Sequence, residues 1–381
     1  MRTIAVITGT RAEYGYLQPL MSMIENDEEL QLIPLITGTH LFLKFGNTYE
    51  LVEQAFPSAI QIPMLSPGDT LKDMATYLAS GITNFAEYLN KNRPDILIVL
   101  GDRSESFAAA LAAFYLNIPI AHINGGDVTG TTIDESIRHA ITKIAHIHFV
   151  HTKNNAERVE KLGEEKKRIF ITGALTLDTI LSVQLPSKEE IFSKYHLNEE
   201  KKTFLVVFHP ITTLEDKGYS QLENLLLALD TLKEQTVLFY PNVDAGGDQL
   251  RNLIKKYEDK SYLHTFINLH HKDYLGLMKS VDVMIGNSSS GIIEAPSFHL
   301  PVVNIGTRQQ GRERSINIID IQPEKDTILA AINTALYDHK FLKKVQKCEN
   351  NFGDGHASER IVDILKKIEL NESLIQKQIT Y

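Results

Sequence analysis

Short apolar runs rich in β-branched residues alternate with longer amphipathic stretches from end to end of the chain. In the first half these runs fall at 4–8, 32–37, 96–100, 119–123, 148–151 and 169–172. Several show almost no polar alternation, the pattern of strands covered on both faces in a parallel sheet. Between them, apolar residues recur at helical spacing over 16–26, 71–92, 105–116, 135–145 and 154–162. That rhythm predicts a doubly wound α/β sheet. It restarts at 204–208 and continues through 237–240, 263–267, 283–285 and 302–305, with helices predicted at 222–233 and 273–279. A polar stretch at 185–202 separates the halves and places a hinge near Pro186. A last helix is predicted over 358–367 and on toward 376, after a glycine-bearing turn at 352–355. The expectation is two similar α/β halves facing each other across a cleft.

Composition narrows the class. The 381 residues carry 39 Lys+Arg against 48 Asp+Glu, a net charge of −9. A chain of that length fits two domains of about 150 residues or more. Its 43% hydrophobic and 23% charged content is that of a globular protein with ample core. An acidic balance argues against nucleic-acid binding, which needs a basic face. The single cysteine, Cys348, excludes an internal disulfide framework and cysteine-based zinc modules. No apolar run approaches the ~18–20 residues that span a bilayer. The first nine residues run straight into a strand with only Arg2 charged, unlike a signal peptide. A cytoplasmic protein without membrane partners is expected.

In open α/β sheets ligands bind beyond the carboxyl ends of the strands. The chemically distinctive residues cluster just there. Thr8-Gly9-Thr10-Arg11, Gly101-Asp102-Arg103 and Asn124-Gly125-Gly126-Asp127 follow strands of the first half. His209-Pro210, Pro241-Asn242-Val243-Asp244, Gly286-Asn287-Ser288-Ser289-Ser290-Gly291 and Gly306-Thr307-Arg308 do so in the second. In the Gly/Ser loop, small residues let the backbone approach phosphate oxygens, and a following helix offers free N–H groups. Glu294, expected about one turn inside that helix, would suit a ribose diol; a plain serine-rich cap is the simpler alternative. Arg308, with Arg312 and Arg314 nearby, supplies cations for an anionic diphosphate, with surface solubility an equal alternative for the last two. There is no GxGxxG fingerprint and no Walker A loop, so nicotinamide and ATP chemistry are not expected.

On the first half, Asp102 beside Arg103 is either a structural ion pair or a reactive pair. Asp134 and Glu135 open a helix, where capping would explain them. With Asp102 they also make the carboxylate set that proton abstraction or sugar cleavage requires. His209 could donate to a leaving phosphate. His146, His148 and His151 invite a metal reading, but alternation along a strand and the lack of a carboxylate at ligand spacing argue for structural roles.

Taken together these stretches resemble the hydrolysing UDP-N-acetylglucosamine 2-epimerases of the sialic and legionaminic acid pathway type. Thr10-Arg11-Ala12-Glu13-Tyr14, Gly46-Asn47-Thr48-Tyr49, Gly101-Asp102-Arg103 and Gly125-Gly126-Asp127-Val128-Thr129-Gly130 carry the likeness, as do Ile133 through Ala140. It continues in His209-Pro210, Pro241 through Gly246, Gly286-Asn287-Ser288-Ser289 and Gly306 through Arg312. The resemblance implies two Rossmann-like domains of the GT-B type, 1–185 and 186–355, with 356–381 packing back on the first. It implies anti elimination of UDP to a 2-acetamidoglucal and then hydration, with no nicotinamide and no catalytic metal. Arg11, Arg103, Asn242, Ser288, Ser289, Glu294 and Arg308 would hold the nucleotide-sugar. Ser288 and Ser289 would take the diphosphate and Glu294 the ribose. His209 would assist departure of UDP, and Asp102, Asp134 and Glu135 would form the acid/base group. A homodimer or homotetramer is the family tendency, with 71–92 and 105–116 as candidate contact surfaces.

One departure stands out. Many relatives place Glu where this chain has Asn124, in His122-Ile123-Asn124-Gly125-Gly126. An amide cannot take up a proton at neutral pH, so Asn124 is expected to contact a substrate group that varies between subfamilies. The substrate is either UDP-GlcNAc or UDP-N,N′-diacetylbacillosamine, which lacks the 6-hydroxyl and carries an amide at C4. Residues 41–44 and 64–69 are candidates for reading that difference, with loop packing as their alternative role. A non-hydrolysing 2-epimerase, an inverting GT-B glycosyltransferase and a silent nucleotide-sugar sensor are the rival readings.

Overall fold

The computed structural model describes residues 1–43, 46–65, 70–129, 133–209, 217–241, 247–267 and 269–381. It divides into two compact units. Unit 1 comprises Met1–Asp127, Ile133–Thr179 and Phe352–Tyr381, and unit 2 comprises Val128–Thr132 and Ile180–Asn351.

Unit 1 runs β1 (Arg2–Thr8), α1 (Arg11–Glu25), β2 (Leu30–Ile36), α2 (Tyr49–Ala55), β3 (Ile60–Gln61), α3 (Leu71–Lys91) and β4 (Ile96–Leu100). It continues with α4 (Ser104–Tyr115), β5 (Ile120–Ile123), α5 (Ile133–Ile144), β6 (Ile147–Val150), α6 (Lys153–Lys161), β7 (Ile169–Ile171) and α7 (Leu175–Ser182). Its strands form one seven-stranded sheet in the order β3-β2-β1-β4-β5-β6-β7, every pairing parallel. Successive residues of β1 enter different cores. Ile4 and Val6 pack with Leu17, Leu20 and Met21 of α1, whereas Ala5 and Ile7 pack with Phe85 of α3 and Ala108 of α4. Burial on both faces is what a strand without polar alternation records.

Unit 2 contains α8 (Lys188–Lys194), β8 (Thr203–Val207), α9 (Lys217–Leu232), β9 (Gln235–Phe239), α10 (Gly247–Lys255), β10 (Leu263–Phe266) and α11 (His271–Ser280). Then come β11 (Val283–Gly286), α12 (Ser290–Ile293), β12 (Val302–Ile305), β13 (Ile318–Ile321), α13 (Lys325–Tyr337) and α14 (His339–Val345). Six parallel strands take the order β10-β9-β8-β11-β12-β13. Phe204 and Val206 face one core with Leu222 and Ile328, and Leu205 and Val207 face the other with Ile191 and Leu277.

The chain then returns to unit 1 through α15 (Ala357–Lys367) and α16 (Glu372–Ile375). Ile361 and Leu365 join the core beneath α1. The Asp178 carboxylate caps α15 from a distance, accepting from the Ala357 and Ser358 amides at 2.9 and 2.6 Å. Arg168 donates to the carbonyls of Ser373 and Leu374, both at 2.6 Å.

Several elements depart from the sequence-based expectation. The first helix begins at Arg11 rather than near 16, because the Thr10 hydroxyl accepts from the Glu13 amide and caps it there. The polar stretch 185–202 contains α8, opened by a capping box in which Ser187 and Glu190 exchange hydrogen bonds. The edge strands β3 and β13 and the helices α2, α7, α10, α13 and α14 were not anticipated.

Candidate functional site

Both sheets repeat the doubly wound order, which reverses between β1 and β4 in unit 1 and between β8 and β11 in unit 2. The crevice at such a switch point is where this architecture binds ligands. The residues beyond those four strand ends are therefore the relevant ones.

In unit 1 the turn after β1 passes over two acids. Glu13 accepts from the Gly9 amide at 2.9 Å, and Glu105 accepts the Tyr77 hydroxyl at 2.8 Å and Arg103 Nε at 3.3 Å. Both carboxylates are buried. A Cβ at Gly9 would lie 3.0 Å from Glu105 Cγ and 3.1 Å from Glu13 Oε2, so glycine is what lets the backbone close over them. Burial pushes the Glu13 carboxyl up to about 7, with Glu105 adding to the rise and Arg103 opposing it. Arg103 thus turns to Glu105 and not to its neighbour Asp102, while Arg11 is exposed at the start of α1.

Asp102 pairs instead with Arg138, whose side chain is 2% exposed. The same guanidinium donates to Glu135 Oε2 at 2.9 Å and to the Asp127 carbonyl at 3.1 Å. Glu135 also meets His139 Nε2 at 3.1 Å. One buried cation therefore holds Asp102 and Glu135 together, whereas Asp134 is exposed on the first turn of α5. His122, fully buried and pushed down to about 3 by that burial, is neutral; it donates from Nε2 to the Gly101 carbonyl at 2.8 Å and steadies the turn that carries Asp102.

Asn124 takes a left-handed backbone, φ 70°, at the end of β5. Its amide nitrogen donates to the Phe149 carbonyl at 3.0 Å, and its side-chain oxygen accepts from His151 Nε2. The other two histidines of this region have different partners. His146 Nδ1 accepts the Ile120 amide at 3.1 Å, and His148 meets Glu164 at 3.2 Å, a carboxylate that spacing along the chain did not bring to notice. Among the described residues no group of three or more His, Cys, Asp or Glu is arranged to hold a metal ion.

In unit 2 the ends of β8 and β11 are knotted by Asn287, which is fully buried. Its Oδ1 accepts from the His209 amide at 2.8 Å, and its Nδ2 donates to the His209 carbonyl at 2.9 Å. Its own carbonyl accepts Arg308 Nη1 at 3.1 Å and Gln309 Nε2 at 2.8 Å. Burial, reinforced by the charge of Arg308, pushes His209 down to about 3, so the ring is neutral at physiological pH. Ser288 is buried and Ser289 half-buried at the start of α12. That helix is a single turn, so Glu294 follows its end instead of lying one turn inside, and is itself buried. The helix dipole expected at this loop is correspondingly short. Of the two further arginines, Arg314 is tied to Asp320 at 2.9 Å, and Arg312 donates to Gln309 Oε1 at 2.7 Å. Asn242, Pro210 and 243–246 lie outside the described residues, as do Lys44 and 66–69 of the substrate-reading stretches.

Sequence reasoning did not single out Glu13, Glu105, Tyr77, Arg138 or Asn287 for a role of their own. For Arg138 a signal was present, its placement three positions after Glu135 on a helix face. For the others only the fold brings the partners together.

No helix among the described residues is long and apolar enough to cross a membrane. A family model described as UDP-N-acetylglucosamine 2-epimerase matches residues 22–366. A Legionella pneumophila UDP-N,N′-diacetylbacillosamine 2-epimerase (hydrolyzing) is 36% identical, the alignment covering 100% of both chains. A Campylobacter jejuni GDP/UDP-N,N′-diacetylbacillosamine 2-epimerase (hydrolyzing) is 36% identical over 84% of each. A solved Neisseria meningitidis UDP-GlcNAc 2-epimerase bound to UDP-GlcNAc shares the fold, with a TM-score of 0.80 at 19% identity over 97% of this chain and 100% of that one. With a match of that extent, and strand-end residues of the kind a nucleotide-sugar site needs, the chain belongs to the UDP-N-acetylglucosamine 2-epimerase family.

Proposed function

We propose that this chain is a hydrolysing 2-epimerase of a UDP-2-acetamido sugar. The observation that carries the reading is the pair of carboxylates, Asp102 and Glu135, held by one buried guanidinium beside the switch point of unit 1. The hydrolysing branch is favoured by the Legionella relative that matches this chain from end to end and by the Campylobacter relative that matches 84% of it.

In the proposed reaction a carboxylate of the Asp102, Asp134 and Glu135 group takes the proton from C2. The C1–O bond breaks, UDP departs with the electron pair, and a 2-acetamidoglucal remains. Water then adds its hydroxyl to C1, and a proton returns to C2 from the opposite face to give the free manno sugar. Neutral His209 donates a hydrogen bond to the departing phosphate. Ser288 and Ser289 hold the diphosphate, Glu294 the ribose, and Arg11, Arg103, Asn242 and Arg308 the rest of the nucleotide-sugar. UDP-N,N′-diacetylbacillosamine and UDP-GlcNAc are the two candidate substrates. The product, 2,4-diacetamido-2,4,6-trideoxymannose or N-acetylmannosamine, would enter nonulosonic acid biosynthesis, with a cytoplasmic homodimer or homotetramer as the working form.

Proton NMR in deuterated water with each UDP-sugar tests this. Free UDP together with a 2-deuterated manno sugar is the expected result. A 2-deuterated UDP-sugar would mark a non-hydrolysing epimerase, and no exchange or UDP release would defeat both.

A further inference from the structure

Every polar group of Asn287 is spent on the geometry of unit 2. Its amide nitrogen donates to the Val207 carbonyl at 3.1 Å, continuing the β8–β11 ladder by one residue past Gly286. Gly286, at φ 137°, makes that approach possible, since a Cβ there would lie 2.0 Å from the Val207 oxygen. The side-chain amide then grips the residue-209 backbone at both its N–H and its C=O. This two-point contact substitutes for a strand neighbour where the ladder has ended, and it fixes the amide orientation, because each end meets a group of opposite character. The main-chain carbonyl meanwhile receives Arg308 and Gln309.

The division of labour within one residue matters. Arg308 is held by the backbone of Asn287, which survives any substitution, whereas His209 is held by its side chain. Among the described residues the buried Nδ1 of His209 has no hydrogen-bond partner. The two Asn287 bonds fix the stretch of backbone from which that ring projects.

We propose that Asn287 is a positioning residue for His209, its carboxamide locking the residue-209 backbone so that the imidazole is aimed at the departing phosphate. The proposal rests on the functional reading above, and its test separates the two. In steady-state kinetics, Asn287→Ala lowers kcat about tenfold or more, the weight of a lost positioning hydrogen bond, with KM and the Kd for UDP within about twofold. Asn287→Asp keeps acceptance from the His209 amide, loses donation to its carbonyl, and falls between wild type and Asn287→Ala; being isosteric, it covers the case in which the alanine variant does not fold. In a His209→Asn background the same Asn287→Ala change costs less than about twofold, because its effect runs through His209. Losses that multiply independently in the double variant overturn the proposal.

A second readout does not depend on turnover. In ¹³C-histidine-labelled protein, the His209 ring resonance, assigned by its disappearance in His209→Asn, stays unprotonated across about pH 5–8 in wild type and titrates in that range in Asn287→Ala. A ring that behaves identically in both also overturns the proposal. If the wild-type chain releases no UDP from either sugar nucleotide, the functional reading fails, and the resonance still decides whether Asn287 positions His209.

Discussion

Arg138 donates to the carboxylate of Asp102 from 36 positions further along the chain. The contact joins the turn after β4 to the first turns of α5, and Glu135 and the Asp127 carbonyl share the same guanidinium. Asp102 and Glu135 keep 23% and 20% of their side chains exposed, so losing the buried cation falls at the low end of the about 3–5 kcal/mol that breaking a buried pair costs. Arg138→Ala is therefore expected to lower stability by about 3 kcal/mol in chemical denaturation and kcat by more than a hundredfold. Arg138→Lys restores charge but not the fork, so it should recover most of the stability and little of the rate. Equal recovery of both would show that orientation of Asp102 and Glu135 is unimportant.

Acid and base limbs of stability trace to different groups. His40, His122 and His146 are buried and pushed down to about 4, 3 and 4 by burial first of all. The unfolded chain accepts protons there below its ordinary histidine value of 6.5, and the folded chain does not, so stability falls as the pH drops below 6.5. Three such groups lose about 3 kcal/mol together between pH 6.5 and 5.5. Denaturant titrations at the two pH values measure it directly.

Glu13 works in the opposite sense. Its folded value of about 7 exceeds the ordinary 4.5, so the fold keeps a proton that the unfolded chain releases, and stability is lost as the pH rises from 4.5 through 7. Glu13→Gln keeps an acceptor for the Gly9 amide and removes the titration. At pH 8 it should be more stable than wild type by about 3 kcal/mol, and at pH 4.5 nearly equal to it. An equal shift at both pH values would place the effect elsewhere.

Asn124→Glu would set a carboxylate against His151, at a left-handed backbone that costs a non-glycine residue about 1 kcal/mol. The expected outcome is a changed ratio of kcat/KM between UDP-N,N′-diacetylbacillosamine and UDP-GlcNAc. A uniform rise or fall for both would remove Asn124 from substrate choice.

Glu164 accepts Lys377 at 2.6 Å, Lys143 at 2.8 Å and His148 at 3.2 Å. Burial alone would raise its carboxyl, but those bonds outweigh it and hold it at about 2. Lys377→Ala should cost about 2 kcal/mol and open the last residues to limited proteolysis. An unchanged cleavage pattern would show that the lysine does not tether the segment.

The parallel sheets were legible because buried strands write uninterrupted apolar runs, as 96–100 and 283–285 do. The strand-end residues were legible because this architecture puts chemistry there. Of the four edge strands, β7 and β10 were legible and β3 and β13 were not: β3 has two residues, both exposed, and β13 is partly exposed along its length with Asp320 open to solvent. α8 is marked in the sequence only by the capping box of Ser187 and Glu190, because a seven-residue helix rich in lysine and glutamate shows little apolar periodicity. Partnerships across the sheet, such as Arg138 with Asp102 or Asn287 with residue 209, depend on which strands become neighbours. No local spacing records that. Glu294 illustrates the remaining gap, since helix length after a Gly/Ser loop is set by packing and not by the loop itself.

Unit 1 is finished by Phe352–Tyr381, which follows all of unit 2 in the chain. During synthesis, then, the greasy side of α1 emerges from the ribosome long before Ile361 and Leu365 exist to cover it. The first half must wait, partly uncapped, while the second is made. A nascent chain stalled before 352 should leave exposed the side of α1 that Ile361 and Leu365 cover in the folded unit.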